Sequence, residues 1–281
     1  MGMPSPRDLQ LPEGPTIRRM GFGAMRITGP GIWGDPADRE AARALLRRVV
    51  ELGVQLIDTA DAYGPETSER LIGEALAPYA EGVLIATKGG LVRPADRSWQ
   101  RDARPEHLRA ACEASLRRLQ LERIDLYQLH APDEKVRFAD SVGELARLRD
   151  AGKIGMVGLS NVDVAQLAEA RAIVPIVSVQ NRFNYADRQH EPVLEVCERA
   201  GIAFLPWYPL ATGDLARPGG SELTEVAREL GATPGQVALA WLLHRSPVIC
   251  PIPGTSRVVH LELNLAAERL ELTDEQMRRL A

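Results

Sequence analysis

Leu56-Ile57-Asp58-Thr59-Ala60-Asp61-Ala62-Tyr63-Gly64 is an apolar run that ends in a carboxylate, with a tyrosine five residues further on. Two other runs have the same form. Val83-Leu84-Ile85-Ala86-Thr87 ends in Lys88, and Ile124-Asp125-Leu126-Tyr127-Gln128-Leu129 ends in His130. Short apolar runs of this kind read as strands buried on both faces. Each one delivers an ionisable or proton-donating group at its trailing end. Working outward, comparable runs occur at 20–25, 54–57, 83–87, 124–129, 154–159, 176–180, 202–206 and 248–252.

Between them, residues 38–52, 67–76, 105–119, 139–151, 164–172 and 191–200 carry apolar side chains at helical spacing. Gly53, Gly152 and Gly201 mark helix ends, and Pro105 and Pro192 sit near helix starts. Thr233-Pro234 opens an extra helix, a further one covers 222–230, and Thr273 to Gln276 reads as a capping box. Eight strands alternating with helices predict an α/β fold, a closed (β/α)8 TIM barrel forming a single domain over residues 1–281. In such a barrel the trailing strand ends share one face, where barrel enzymes build their active sites. No GxGxxG follows the first run, which removes support for an open dinucleotide-binding sheet.

Composition narrows the function classes. The 281 residues carry a net charge of -4, with no basic cluster to meet a phosphate backbone, so no nucleic-acid partner is expected. No apolar stretch approaches the ~20 residues that span a bilayer, and residues 1–15 hold prolines and charges rather than an apolar signal core. Cys112, Cys197 and Cys250 form neither a disulfide framework nor a metal-binding CxxC, and the expectation is a cytoplasmic protein with no metal. Only three lysines occur in an arginine-rich chain, one of them Lys88. Lysine shares or loses a proton when buried; arginine effectively does not.

Asp58, Tyr63, Lys88 and His130 make chemical sense as a unit. A phenol with an ordinary pKa near 10 becomes a better acid when an ammonium favours its phenolate. A buried ammonium in turn needs a counter-ion, which Asp58 supplies. Singly, each residue has a structural role open to it: Asp58 as a turn former, Tyr63 as a packing ring, Lys88 as a residue leaving its strand, His130 as a satisfied core histidine.

Asp58-x4-Tyr63-Gly64, Ala86-Thr87-Lys88 and Gln128-Leu129-His130 resemble the catalytic motifs of the aldo-keto reductases. The resemblance continues through Gly152-Lys153-Ile154, Gly158-Leu159-Ser160-Asn161, Val179-Gln180-Asn181 and Ile252-Pro253-Gly254-Thr255-Ser256, and is closest to bacterial pyridoxal-reductase-type members. It implies reduction of an aldehyde or ketone by NAD(P)H, with Tyr63 as proton donor, Lys88 lowering its pKa, Asp58 holding Lys88 and His130 orienting the carbonyl.

For the cofactor, the resemblance assigns Ser160, Asn161 and Gln180 to the nicotinamide carboxamide and Trp207 to the ring stacked on it. Tyr208 takes that place if the register is shifted by one. Met25, Asp58 and Leu210 fall in the same groove. Gly254, Thr255, Ser256, Arg257, His260 and Asn264 align with the adenosine 2′-phosphate and adenine site. His260 stands where arginine is frequent and Leu263 where glutamate is frequent. NADPH is the expected cofactor and NADH the alternative. A structural reading also stands for Ser160-Asn161, as the cap of the next helix.

Trp33 and Trp99, in loops after the first and third strands, are the expected substrate walls, with a small carbonyl compound as substrate. Arg93, Arg97, Arg101 and Arg104 near Trp99 suit either an anionic substrate or a solvated loop. No surface feature demands a second subunit, so a monomer is expected. The alternative function is a cofactor-binding, redox-sensing regulatory subunit of the same fold with little turnover. An unrelated phosphate-handling barrel is disfavoured by Trp207-Tyr208-Pro209-Leu210, a poor phosphate cradle.

Overall fold

The computed structural model describes residues 7–216 and 222–280. Residues 1–6 of the amino-terminal stretch read above lie outside the described residues. An antiparallel hairpin, β1 (Asp8–Gln10) and β2 (Thr16–Arg18), comes first and has no counterpart in the sequence reading. The parallel strands β3 (Phe22–Gly23), β4 (Leu56–Asp58), β5 (Leu84–Gly89), β8 (Ile124–Leu129), β9 (Ile154–Ser160), β10 (Ile176–Gln180) and β11 (Ala203–Phe204) pair in that order. The excursion after β5 carries a small hairpin, β6 (Leu91–Val92) and β7 (Gln100–Arg101).

The barrel closes through the eighth run without a regular ladder. Phe204 N donates to Val248 O at 2.8 Å and Cys250 N to Phe204 O at 2.9 Å. On the other side Gly21 N donates to Pro251 O at 2.9 Å and Gly23 N to Pro253 O at 3.4 Å. Pro251 and Pro253 have no N–H to donate, so this strand pairs only through its carbonyls towards β3. The first strand is correspondingly shorter than expected, because residues 24–27 form a 3-10 turn instead. The two backbones approach so closely here that a Cβ on Gly254 would lie 2.6 Å from the Gly23 carbonyl oxygen. No other residue type fits that seam.

The helices lie where the 3.6-residue pattern puts them. They are α1 (Arg39–Glu51), α2 (Thr67–Leu76), α3 (Pro105–Leu119), α4 (Phe138–Asp150), α5 (Val164–Arg171) and α6 (Glu191–Ala200), followed by α7 (Glu222–Glu229), α8 (Pro234–Arg245), α9 (Val258–Ala266) and α10 (Asp274–Arg279). In α1, Asp38 caps the Ala41 N–H, and Ala42, Leu45, Leu46 and Val49 form the buried stripe. Thr233 and Thr273 close capping boxes with Gln236 and Gln276, as expected.

Two cores result. One lies between strands and helices, with Leu45, Ile57, Leu108, Leu145 and Trp241 among its members. The other fills the barrel with Leu56, Leu84, Leu126, Met156, Val177 and Leu205, and is plugged by Leu9, Leu11 and Ile17 of the first hairpin. Burying these three aliphatic side chains stabilises the closed bottom by about 1.5–3 kcal/mol each as an upper estimate. The plug sits by Leu56 and Leu84, where strands begin. Access to the barrel is left to the opposite face, onto which Asp58, Lys88 and His130 emerge. The three cysteines are free and buried, and burial pushes their thiols up to about 12. No helix among the described residues is long and apolar enough to cross a membrane.

Candidate active site

Strand register brings the first three polar groups together. Asp58 ends β4 and pairs with Ala86 of β5, so Lys88, two residues further along β5, points into the barrel beside it. Lys88 Nζ donates to Asp58 Oδ2 at 2.7 Å and to Thr59 O at 2.8 Å, and lies 3.4 Å from the Tyr63 hydroxyl. Lys88 is wholly shielded from solvent and Tyr63 is 8% exposed. Burial works against the lysine charge, yet Asp58 and Tyr63 together outweigh it and hold the ammonium above its ordinary range. His130 follows β8, its backbone N–H on Gly89 O at 2.8 Å, and its ring meets Tyr63 edge-on at 5.8 Å.

The Tyr63 acidity departs from the sequence expectation. Burial raises the phenol pKa and is the largest influence; Lys88 pulls it down but does not prevail, and Asp58 opposes Lys88. The side chain is therefore a neutral phenol that holds its proton. An ammonium in this position can stabilise a phenolate more than it stabilises the neutral phenol.

His130 is the converse. Burial, then the nearby Lys88 charge, push its pKa well below the ordinary histidine range, so the ring is neutral. Its Nδ1 is buried without a hydrogen-bond partner among the described residues. In the unfolded chain a histidine takes up a proton near pH 6.5. The folded protein resists that uptake, so stability is lost as pH falls below about 6.5, at up to about 1.4 kcal/mol per pH unit. Asp61 works in the opposite direction, because burial raises its carboxyl well above the usual range. The His130 share is isolated by comparison with His130→Gln. Between pH 7 and pH 5 the wild type is expected to lose more melting temperature than the variant. Parallel losses would show that His130 titrates equally in both states.

Sequence reasoning did not single out Gln128. Its Nε2 donates to Asp58 Oδ1 at 3.1 Å, and Gln180 Nε2 donates to the same oxygen at 2.8 Å. Asp58 thus accepts from Lys88 and from two amides. Room for Gln128 comes from Gly158, where a Cβ would lie 2.8 Å from Gln128 Cγ and 2.4 Å from Ser178 Oγ. The pairing Lys88↔Gln128 was the available signal, but it depends on strand register. Gln180 spends its N–H on Asp58, which leaves its carbonyl oxygen as the group to face a ligand.

Asp163, not Ser160 or Asn161, caps α5, through a capping box with Gln166. Ser160 and Asn161 are free of that duty. Asn161 adopts a left-handed conformation (φ 60°) and donates from Nδ2 to His130 O at 2.9 Å and Ser160 Oγ at 3.0 Å. Its Oδ1 accepts from Trp207 Nε1 at 3.1 Å. This bond holds the Trp207 indole beside Asn161. The Arg182 guanidinium lies over both neighbouring rings, 4.8 Å from the centre of Tyr208 and 5.9 Å from that of Trp207.

Further along the groove, Arg257 is the N-cap of α9 and makes no side-chain cap bond; its own N–H is held by Thr255 Oγ1 at 3.1 Å. The first turn of α9 holds no acidic residue, so its free N–H groups and the positive helix end face the solvent with Arg257, Ser256 and His260. Asn264 lies one turn beyond His260. Met25 stands on the 3-10 turn after β3, while Leu210 packs against the main core. Gly254 serves the barrel seam in addition to any contact it makes with a ligand.

The aromatic walls assemble around the tyrosine. Trp99 lies edge-on to both Tyr63 and His130, at 6.4 Å from each. The Trp33 loop is strapped to Gly64 by a bond from Gly34 N to Gly64 O at 2.6 Å. A cavity of about 320 Å³ lined in part by Arg101, Phe138, Asn161 and Gln166 lies to the side, beside Asn161.

The sequence matches the family model of the Aldo/keto reductase family over residues 19–281. The chain belongs to the aldo/keto reductase family. It is therefore an oxidoreductase of a family that uses nicotinamide cofactors on carbonyl groups. It is 52% identical to an uncharacterized oxidoreductase of Schizosaccharomyces pombe, covering 94% of this chain and 86% of that one. It is 44% identical to pyridoxine 4-dehydrogenase of Escherichia coli, covering 94% of each. An aldo/keto reductase from Klebsiella pneumoniae, solved with NADP and acetate, superposes with a TM-score of 0.84 at 27% identity, over 98% of this chain and 94% of that one. The closed barrel and the family expected from the sequence are both found.

Proposed function

We propose that this aldo/keto reductase reduces a small aldehyde, aromatic or pyridoxal-like, with NADPH, and that Tyr63 delivers the proton. The observation that carries the reading is the line from Asp58 through Lys88 Nζ to the Tyr63 hydroxyl, at 2.7 Å and 3.4 Å, with neutral His130 beside it. The relationship to pyridoxine 4-dehydrogenase supports the substrate class.

A reduced nicotinamide supplies hydride when bound. The residues available to hold it fit that group. Ser160, Asn161 and Gln180 present hydroxyl and amide groups suited to a carboxamide, and Trp207 presents a ring face. The open α9 terminus with Arg257 suits an anionic phosphate. The carbonyl oxygen is received by the Tyr63 hydroxyl and a neutral His130 N–H. As negative charge builds on it, the Tyr63 proton moves to the oxygen, and Lys88 stabilises the phenolate left behind. Trp33 and Trp99 exclude water from this step. A monomer acting in the cytoplasm completes the reading.

Titration with NADPH, followed by quenching of tryptophan fluorescence with NADH in parallel, tests it. NADPH is expected to bind more tightly, and Arg257→Ala to weaken NADPH while sparing NADH. Equal effects on both cofactors would remove Arg257 from the 2′-phosphate, and failure of either cofactor to bind would overturn the function.

A further inference from the structure

Of the four arginines around Trp99, two are neutralised locally. Arg101 pairs with Glu134 at 3.2 Å, and Arg104 pairs with Asp102 at 2.8 Å and Glu106 at 3.3 Å. Arg93 and Arg97 have no carboxylate partner among the described residues. They are also the two that touch the pocket walls. The Arg93 guanidinium lies 4.0 Å from the centre of the Trp99 ring and 5.5 Å from that of Trp33, and Arg97 lies 5.3 Å from Trp33. Trp99 in turn is 6.4 Å from the Tyr63 ring.

Arg93 is 9% exposed, which is costly for a charge without a counter-ion. Its hydrogen-bond partners among the described residues are three backbone carbonyls: Arg97 O at 3.1 Å, and Ile32 O and Gly31 O at 3.3 Å. A guanidinium has five N–H donors, so two remain unused. The guanidinium lies over the Trp99 ring, and its remaining N–H groups, one on Nη1 and one on Nη2, can bridge the two oxygens of a carboxylate or phosphate. Arg97 carries no side-chain hydrogen bond among the described residues and extends the same positive field at the solvent side.

We infer that Arg93 and Arg97 form an anion-binding subsite at the mouth of the carbonyl pocket, so that the preferred substrates are aldehydes bearing a carboxylate or phosphate on the far side of the ring from the carbonyl. This rests on the carbonyl-reductase reading above and specifies its substrate class. The aldehyde reaches Tyr63 and His130 past Trp99, while the anionic group stays at the rim and takes the free guanidinium edge. An exposed rim charge alone contributes little; a shielded, stacked and pre-oriented guanidinium contributes more.

The test measures kcat/KM with NADPH for matched pairs of aldehydes. Para-carboxybenzaldehyde is set against its methyl ester, and para-formylphenyl phosphate against its dimethyl ester. In the wild type the anionic member of at least one pair is expected to be preferred by roughly tenfold or more. The pair that shows the preference identifies carboxylate or phosphate. In Arg93→Gln and Arg97→Gln the anionic-to-neutral ratio is expected to fall towards unity, mainly through KM, and added salt to erode the wild-type preference.

A wild type that reduces anionic and neutral members alike overturns the inference and leaves the reductase reading intact. So does a variant pair in which both members lose activity equally, since Arg93 would then be only a clamp between two loops. Arg97→Gln keeps the test decisive if Arg93→Gln does not fold, because the Arg97 side chain makes no hydrogen bond among the described residues. Reduction of no aldehyde at all would instead be a failure of the reductase reading.

Discussion

Tyr63→Phe is expected to lower kcat by about 10²–10⁴-fold, the range typical of a positioned general acid, and to leave NADPH binding unchanged. The substitution removes one oxygen and nothing else. The phenol makes a single long bond, 3.4 Å to Lys88, and its ring contacts with Trp99 and His130 do not need the hydroxyl. A stability cost of about 1 kcal/mol or less is expected from losing such a bond. Because the Tyr63 proton is strongly held, the residue is fully protonated at neutral pH, and the variant has nothing with which to replace it. Steady-state kinetics and fluorescence titration on one preparation separate the two effects. A kcat within threefold of wild type would remove Tyr63 from the chemistry. Loss of cofactor binding together with kcat would make it a structural residue of the groove.

Lys88→Met is expected to reduce both stability and turnover, for different reasons. The methionine fills much of the lysine volume but leaves the buried Asp58 carboxylate without its counter-ion, facing only the amides of Gln128 and Gln180. Breaking a buried pair on one side costs about 3–5 kcal/mol. For a chain of this size that corresponds to a fall in melting temperature on the order of 10 °C.

Adding Asp58→Asn removes the orphaned charge, so the double variant is expected to regain most of the lost stability. Turnover should not return. Without Lys88 the Tyr63 phenolate has no cation beside it, and a loss of roughly 10²-fold or more in kcat is expected to persist in the double variant. A single variant as stable as the wild type would show that the pair contributes nothing to folding. A double variant with normal kcat would separate Lys88 from Tyr63.

Much of this site was legible in the chain because parallel strands carry their functional groups at a repeated place, the last residue or two of each apolar run. Asp58, Lys88 and His130 obey that rule, and the helix limits follow the apolar stripe so closely that α2, α3 and α6 coincide with the expected spans. The first strand fails it. Its expected six residues shrink to Phe22–Gly23 because the seam with Gly254 and the prolines of the eighth run decide how far the ladder extends, and no local pattern records a neighbour more than two hundred residues away. The hairpin that plugs the barrel was invisible for a similar reason: Leu9, Leu11 and Ile17 alternate too briefly to be read before the cavity that they fill is known.

Residue type and periodicity in the chain were enough to give the alternation of barrel strands and helices, the closed barrel, and Asp58, Lys88 and His130 at trailing strand ends, while the motifs around them carried the resemblance to the family. Which of them share hydrogen bonds depended on the folded arrangement. It placed Gln128 and Gln180 on Asp58, turned Trp207 rather than Tyr208 towards Asn161, and left Arg93 and Arg97 unneutralised while pairing Arg101 and Arg104. It also reversed the net shift expected for Tyr63. The physical reason is common to all of these: hydrogen-bond geometry and desolvation are set by distances across the barrel, between residues that the chain keeps far apart.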